Sequence, residues 1–111
     1  MRADLIIFHS EARAEIRSAN RWYRQRSKRA AEGFIEEIER ALNNVLSAPQ
    51  RWPKSKGGWR RFPLFRFPYS IIYREKTTNE IEVIAVAHAR RRPRYWETRT
   101  FPEPPDYEDV S

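Results

Sequence analysis

Residues 81–96 read Ile81-Glu82-Val83-Ile84-Ala85-Val86-Ala87-His88-Ala89-Arg90-Arg91-Arg92-Pro93-Arg94-Tyr95-Trp96. The opening part is apolar apart from Glu82 and rich in β-branched side chains, the pattern of a strand buried within a sheet. It predicts a last strand over Ile81–His88. The chain then changes character at once. An imidazole, the guanidiniums of Arg90, Arg91, Arg92 and Arg94, and the rings of Tyr95 and Trp96 hang on the end of a well-anchored strand. Guanidinium forks match phosphate and carboxylate geometry, and aromatic faces offer stacking surfaces. The segment reads either as a surface that meets a nucleic acid or an acidic protein, or as a solvated basic tail.

Upstream lie two further strands. Tyr69–Glu75 is one, joined to the last by the turn Thr77-Thr78-Asn79-Glu80. Trp59–Phe67 is the other, and Pro63 within it argues for an edge position or a bulge, because proline cannot donate to a ladder. Lys54–Gly58 reads as a flexible basic loop after Pro49 and Pro53. Before it, Phe34, Ile38, Ala41, Leu42 and Val45 repeat at helical spacing, predicting a helix over residues 30–46. Ala12, Ile16, Ala19 and Tyr23 do the same for residues 11–25, with Ser10 as the expected N-cap and Glu11 in the first turn. Trp22, Tyr23 and Phe34 are expected in the core. Arg26-Ser27-Lys28-Arg29 is a tight polar break, so the two helices should form an antiparallel hairpin. Leu5-Ile6-Ile7-Phe8 reads as a first, buried strand. The expected order is β-α-α-β-β-β, an α+β fold with the helical hairpin packed on one face of a small, mainly antiparallel sheet.

Composition narrows the class. The chain has 111 residues, enough for one domain, and six Phe, four Trp and five Tyr give it material for a core. There is no cysteine, which excludes disulfides and thiolate metal sites. His9 and His88 are the only histidines and neither has a carboxylate at ligand spacing, so no metal and no cofactor is expected. No apolar run approaches the roughly 18–20 residues of a membrane span. Residues 1–10 lack a signal-peptide stretch, so a soluble, cytoplasmic protein is expected.

Lys and Arg number 22 against 15 Asp and Glu. Glu103, Asp106, Glu108 and Asp109 follow Arg99 and no Lys or Arg does, so residues 1–99 carry a net +11. A body this basic expects a polyanionic or acidic partner. Residues 1–99 are read as a single domain, and residues 100–111 as an acidic, proline-rich tail that is either flexible or laid back over the basic surface.

These elements resemble, in order and spacing, the RelE/ParE superfamily of toxins from bacterial type II toxin–antitoxin systems. The resemblance spans about residues 4–99. It rests on Trp22-Tyr23, the Pro49 and Trp52-Pro53 loop, Arg60-Arg61-Phe62, Phe67-Pro68-Tyr69-Ser70-Ile71-Ile72-Tyr73-Arg74, and Ile84–His88 followed by Arg92-Pro93-Arg94-Tyr95-Trp96. The superfamily holds two activities, ribosome-dependent cleavage of messenger RNA by RelE-like members and poisoning of DNA gyrase by ParE-like members. In the ribonucleases an Arg near the start of the penultimate strand faces the scissile phosphate. Here Ser70 stands at the matching position, and a hydroxyl does not replace a fixed guanidinium there.

The resemblance therefore implies a ParE-like toxin. Its expected partners are an acidic antitoxin, gyrase or the ribosome as target, and operator DNA only through the antitoxin. The alternatives are a messenger-RNA endonuclease, in which His88, Arg61 and Tyr95 would be the catalytic candidates, and a non-toxic basic RNA-binding module. Arg91, Arg92, Tyr95 and Trp96 are the expected target contacts, and Arg60, Arg61 and Arg66 the expected antitoxin cradle. Each has a bland reading beside it. His88 suits a backbone-bonded rim histidine, the arginines suit a solvated sheet edge, and the two rings suit a cover for the sheet.

Overall fold

Strand β4 (Glu80–His88) sits between two neighbours, and its composition follows from that position. In the computed structural model, which describes residues 3–101, the remaining elements are β1 (Leu5–Phe8), α1 (Ser10–Arg24), α2 (Lys28–Ser47), β2 (Arg60–Pro63) and β3 (Tyr69–Glu75). The sheet order is β1-β4-β3-β2, with β1 parallel to β4 and the other pairs antiparallel. This is the α+β arrangement expected from the chain, with two helices on one face of a four-stranded mixed sheet.

A β-bulge explains why nearly all of β4 is buried. Ile72 pairs with Ala85 and Tyr73 with Val83, leaving Ile84 as the extra residue. The extra residue reverses the alternation of side chains at that point. Ile81, Val83 and Val86 accordingly join Phe34, Ile38, Ala41, Val45, Ile71 and Tyr73 under the helices. Ile84, Ala85 and Ala87 face the other way, with Ile72, and are covered by Trp96, Trp59, Tyr95 and Phe101. Both sheet faces are thus apolar along β4 apart from Glu82, which is buried in an ion pair with Arg74 at 2.8 Å.

Some local expectations need correction. The N-cap of α1 is His9, whose Nδ1 accepts from the Glu11 amide at 3.0 Å, and Ser10 is already helical. Trp22 is 51% exposed and so lies outside the core, while Phe34 is fully buried. The polar break holds its own cap, since Ser27 Oγ accepts from the Ala30 amide at 3.1 Å to start α2. The loop before β2 is a tight turn, with Gly57 and Gly58 at φ 97° and 88°, a region that favours glycine. Strand β2 ends at Pro63, opposite Ser70 on the sheet edge where a proline is tolerated, and one further bond, from the Leu64 amide to the Tyr69 carbonyl, follows before the chain leaves the sheet. No helix among the described residues is long and apolar enough to cross a membrane. Of the acidic tail expected over residues 100–111, residues 102–111 lie outside the described part.

Candidate functional site

The edge of β4 sets the geometry of the site. Strand β1 pairs with it only as far as Val83, so backbone groups beyond that point need other partners. Glu15, on the inward side of α1, supplies one. Its Oε1 accepts from the Val86 amide at 2.9 Å, and the same carboxylate accepts the Tyr95 hydroxyl at 2.6 Å. Arg99 closes the cluster with two donors to Glu15, at 3.1 and 2.8 Å, and a third to the Ile84 carbonyl at 3.0 Å. The paired fork is the strong form of such a bond. Burial, and then the bond to Glu15, hold the Tyr95 phenol well above its ordinary pKa. Burial works against the charge on Arg99, but the bond to Glu15 outweighs it and the guanidinium pKa is raised.

Tyr95 therefore begins the structure's last 3-10 turn, Tyr95–Thr98, as a strut. Its ring supports the Arg91 guanidinium, which lies 3.8 Å from the ring centre and 4.0 Å from Glu15. Trp96, expected to touch a target, is instead 8% exposed and covers Ile72, Ile84, Ala85 and Ala87. An indole on an apolar sheet face removes more surface from water there than it would at a rim.

The three arginines expected to form one cradle are separated. Arg60 is 9% exposed. Its Nε donates to Glu75 at 2.7 Å, and its Nη1 donates to the Trp52 and Gln50 carbonyls at 2.6 and 3.2 Å. The bond from Arg60 holds the Glu75 carboxyl below the usual carboxylate range. Alternation along β2 turns Arg60 inward, so its charge is spent inside the fold. Beside it, the Tyr73 phenol is pushed up to about 12 by burial and donates to the Pro49 carbonyl at 2.7 Å. Arg66 sits beyond β2 in the loop to β3, tied through Nε to Glu37 at 3.1 Å. Arg61 stands exposed on the helix-free side, donating through Nε to Ser70 Oγ at 3.0 Å.

That side carries a groove of about 190 Å³, lined by Arg61, His88, Arg91, Arg92 and Arg94 above Ile72, Ala87 and Trp96. No carboxylate lines it. His88 is half-buried, its ring edge-on to Tyr69 with centroids 4.9 Å apart, and its Nδ1 accepts from the Arg90 amide at 3.0 Å. The fold thus brings Arg61 to Arg91 and Arg92, which sequence reasoning had assigned to different partners. It also adds Arg94, held at φ 59° where the chain turns into the Tyr95–Thr98 segment. Through the seam between α1 and β4 runs a second cleft of about 370 Å³, lined by Trp22, Tyr23, Tyr69, His88, Arg91 and Tyr95. Among the described residues no group of three His, Cys, Asp or Glu side chains is placed to hold a metal.

Sequence reasoning missed Glu15, Glu37 and Arg99. The first two left a signal. Glu15 falls between Ala12 and Ala19 on the apolar stripe of α1, and Glu37 falls between Phe34 and Ala41 on that of α2. An acid on a buried stripe asks for a partner. Arg99 left none, being one arginine among many.

Comparison with known proteins agrees with this architecture. Residues 6–93 match the family described as the ParE toxin of the type II toxin–antitoxin system parDE. A solved chain from the chromosomal ParDE toxin–antitoxin system of P. aeruginosa superposes with a TM-score of 0.67 at 19% sequence identity, over 78% of this chain and 95% of that one. At that identity the likeness is one of fold. No curated protein matches the sequence.

Proposed function

Because the chain belongs to the ParE toxins of type II toxin–antitoxin systems, we propose that it arrests growth by binding an essential protein target, with DNA gyrase the first candidate, and that a cognate acidic antitoxin relieves the arrest. The observation that carries this reading over messenger-RNA cleavage is Ser70. It is 3% exposed, and its oxygen is occupied by Arg61 at 3.0 Å, in the position where the ribonucleases of the superfamily keep a guanidinium for the phosphate. Cleavage needs one group to take the 2′-hydroxyl proton and another to protonate the leaving oxygen. In the groove His88 and Tyr95 are the side chains of that kind; one His88 nitrogen already accepts from backbone, and the Tyr95 hydroxyl is given to Glu15. A row of guanidiniums in a groove that no carboxylate lines, although Glu15 and Glu97 lie 4.0 and 3.7 Å from Arg91 and Arg94, suits recognition of an acidic surface without chemistry.

Neutralisation follows from the same groove. Arg61, the antitoxin contact, shares it with Arg91 and Arg92, the target contacts. An acidic antitoxin segment laid along the β2 edge and over Arg61 occupies space and charge that the target needs, so the two compete. The segment orders as it binds, and buried apolar area offsets that entropic cost.

Two assays on the full chain test this. The protein should inhibit gyrase supercoiling and leave translated messages uncut in primer extension. Codon-phased cuts with undisturbed supercoiling would reverse the reading in favour of the endonuclease. Soluble expression without any growth defect would remove the toxin reading.

A further inference from the structure

The loop between β2 and β3 carries the most exposed of the large apolar side chains among the described residues: Phe65 is 95% exposed. A single exposed ring is ordinary on a mobile loop. This loop is instead tied down at each neighbouring residue. Leu64 is buried, and its amide donates to the Tyr69 carbonyl at 2.9 Å. Phe67 is wedged between Tyr23 and Phe34, with ring centroids 5.1 and 5.4 Å away. Glu37 of α2, itself 6% exposed, accepts from the Phe65 amide, from the Arg66 amide at 3.0 Å and from Arg66 Nε at 3.1 Å.

Burying a carboxylate costs free energy unless bonds replace its water. Here those bonds go to this loop, and their effect is to hold a phenyl ring out in solvent. The surface beside the ring includes Phe62 and Pro63, with Arg40 and Arg66 at its margin. Its one carboxylate, Glu37, is already engaged.

We propose that Phe65 is a preorganised anchor that inserts into an apolar pocket, rimmed by carboxylates, on the folded protein target. The inference rests on the reading that the target is a protein. A rigid knob needs a preformed hole, which a folded partner has and a flexible antitoxin segment lacks until it folds. Against the single Glu37, Arg40 and Arg66 leave one net positive charge on this surface, which suits an acidic rim. Fixing the ring before binding removes part of the ordering cost of association. Anchors of this kind dominate interface energies, so their loss weakens binding roughly thirtyfold.

The test uses the full chain carrying Phe65→Ser or Phe65→Trp. Both variants should melt with the wild type, since the ring is solvated. Colony counts after induction and half-inhibition of purified gyrase are then compared. Phe65→Ser should weaken both by about thirtyfold, and Phe65→Trp should stay close to wild type. Unchanged potency of Phe65→Ser in both assays would overturn the proposal. So would intact potency with lost binding of the acidic protein encoded beside the toxin, or a dimer that Phe65→Ser turns into a monomer; these would assign the ring to the antitoxin or to a second copy. If the wild type arrests growth without touching gyrase, the gyrase reading fails, and the growth arm alone decides on the anchor. A wild type that does neither overturns the toxin reading and the anchor with it.

Discussion

Arg99 and Arg92 belong to the same C-terminal stretch and meet opposite fates. Arg99 has a side chain 14% exposed and is forked onto Glu15, with a further bond to the Ile84 carbonyl. Arg92 is exposed on the rim of the helix-free groove. Arg60 and Arg61 repeat the contrast one residue apart, the first bound to Glu75 and two carbonyls, the second facing the groove. A basic composition is therefore two populations. One is neutralised by internal carboxylates and replaces missing backbone partners at the β4 edge. The other supplies the field that a partner meets. Net charge sums them, but solvent screening separates them: ionic strength weakens interactions of the exposed set and barely touches the buried set.

Breaking the internal population should have the largest effect. Glu15→Ala leaves a buried guanidinium, a phenol and the Val86 amide without their acceptor. The expected loss is about 3–5 kcal/mol of folding stability in urea titration. A loss below about 1 kcal/mol would mean that water takes the place of Glu15 and that the cluster is not structural.

Reversing the open population should act on rates instead. Arg92→Glu with Arg94→Glu should slow association with an acidic antitoxin by roughly tenfold at low salt, with a flatter salt dependence. Stopped-flow measurements across a salt series would read both effects. Kinetics that match wild type would move the antitoxin away from the groove.

Acid separates the two populations again. Glu75 is held below the ordinary range by the bond from Arg60. Burial pushes the Glu37 pKa up, but the bonds from the Arg66 and Phe65 amides and from the Arg66 guanidinium outweigh it and lower it overall. A carboxyl with a depressed folded pKa adds stability above its unfolded pKa, and that stability is lost as pH falls through the folded value. The melting temperature should thus hold near neutrality and fall once the pH drops below about 4.5, where unfolded glutamates begin to protonate. Glu37→Gln should make that fall shallower, and an unchanged acid limb would show that Glu37 contributes nothing to it.

The smallest effect sharpens the contrast. Arg92→Ala should change folding stability by no more than about 0.5 kcal/mol, because no packed contact depends on it. A larger loss in thermal unfolding would place Arg92 with Arg99.

How much of this was legible in the chain varied by element. The apolar spacings of α1 and α2 and the apolar run of β4 express local periodicity, and they located the elements to within a residue or two at most places. Strand β2 is shorter than its spacing suggests, because the backbone just beyond Pro63 bonds to Glu37, 28 positions before Phe65, and leaves the ladder. The His9 cap was missed because a histidine serving as cap is less usual than the serine beside it. At the site, Arg61, Arg91 and Arg92 stand open as the composition suggested, while Arg60 and Trp96 turned inward.

The surplus of positive charge is a count of the sequence; what its local pattern determined is the order of elements and the buried stripes. Each depends on neighbours within a few residues, so each can be read from spacing. Which arginines remain free was decided only by the tertiary structure. Glu15 lies 84 positions from Arg99 and 80 from Tyr95, and Glu37 lies 29 from Arg66. Bonds across such separations exist only after α1 has packed along β4 and α2 beneath the β2–β3 loop. Until then every guanidinium is equally solvated, and nothing local distinguishes a strut from a binding group.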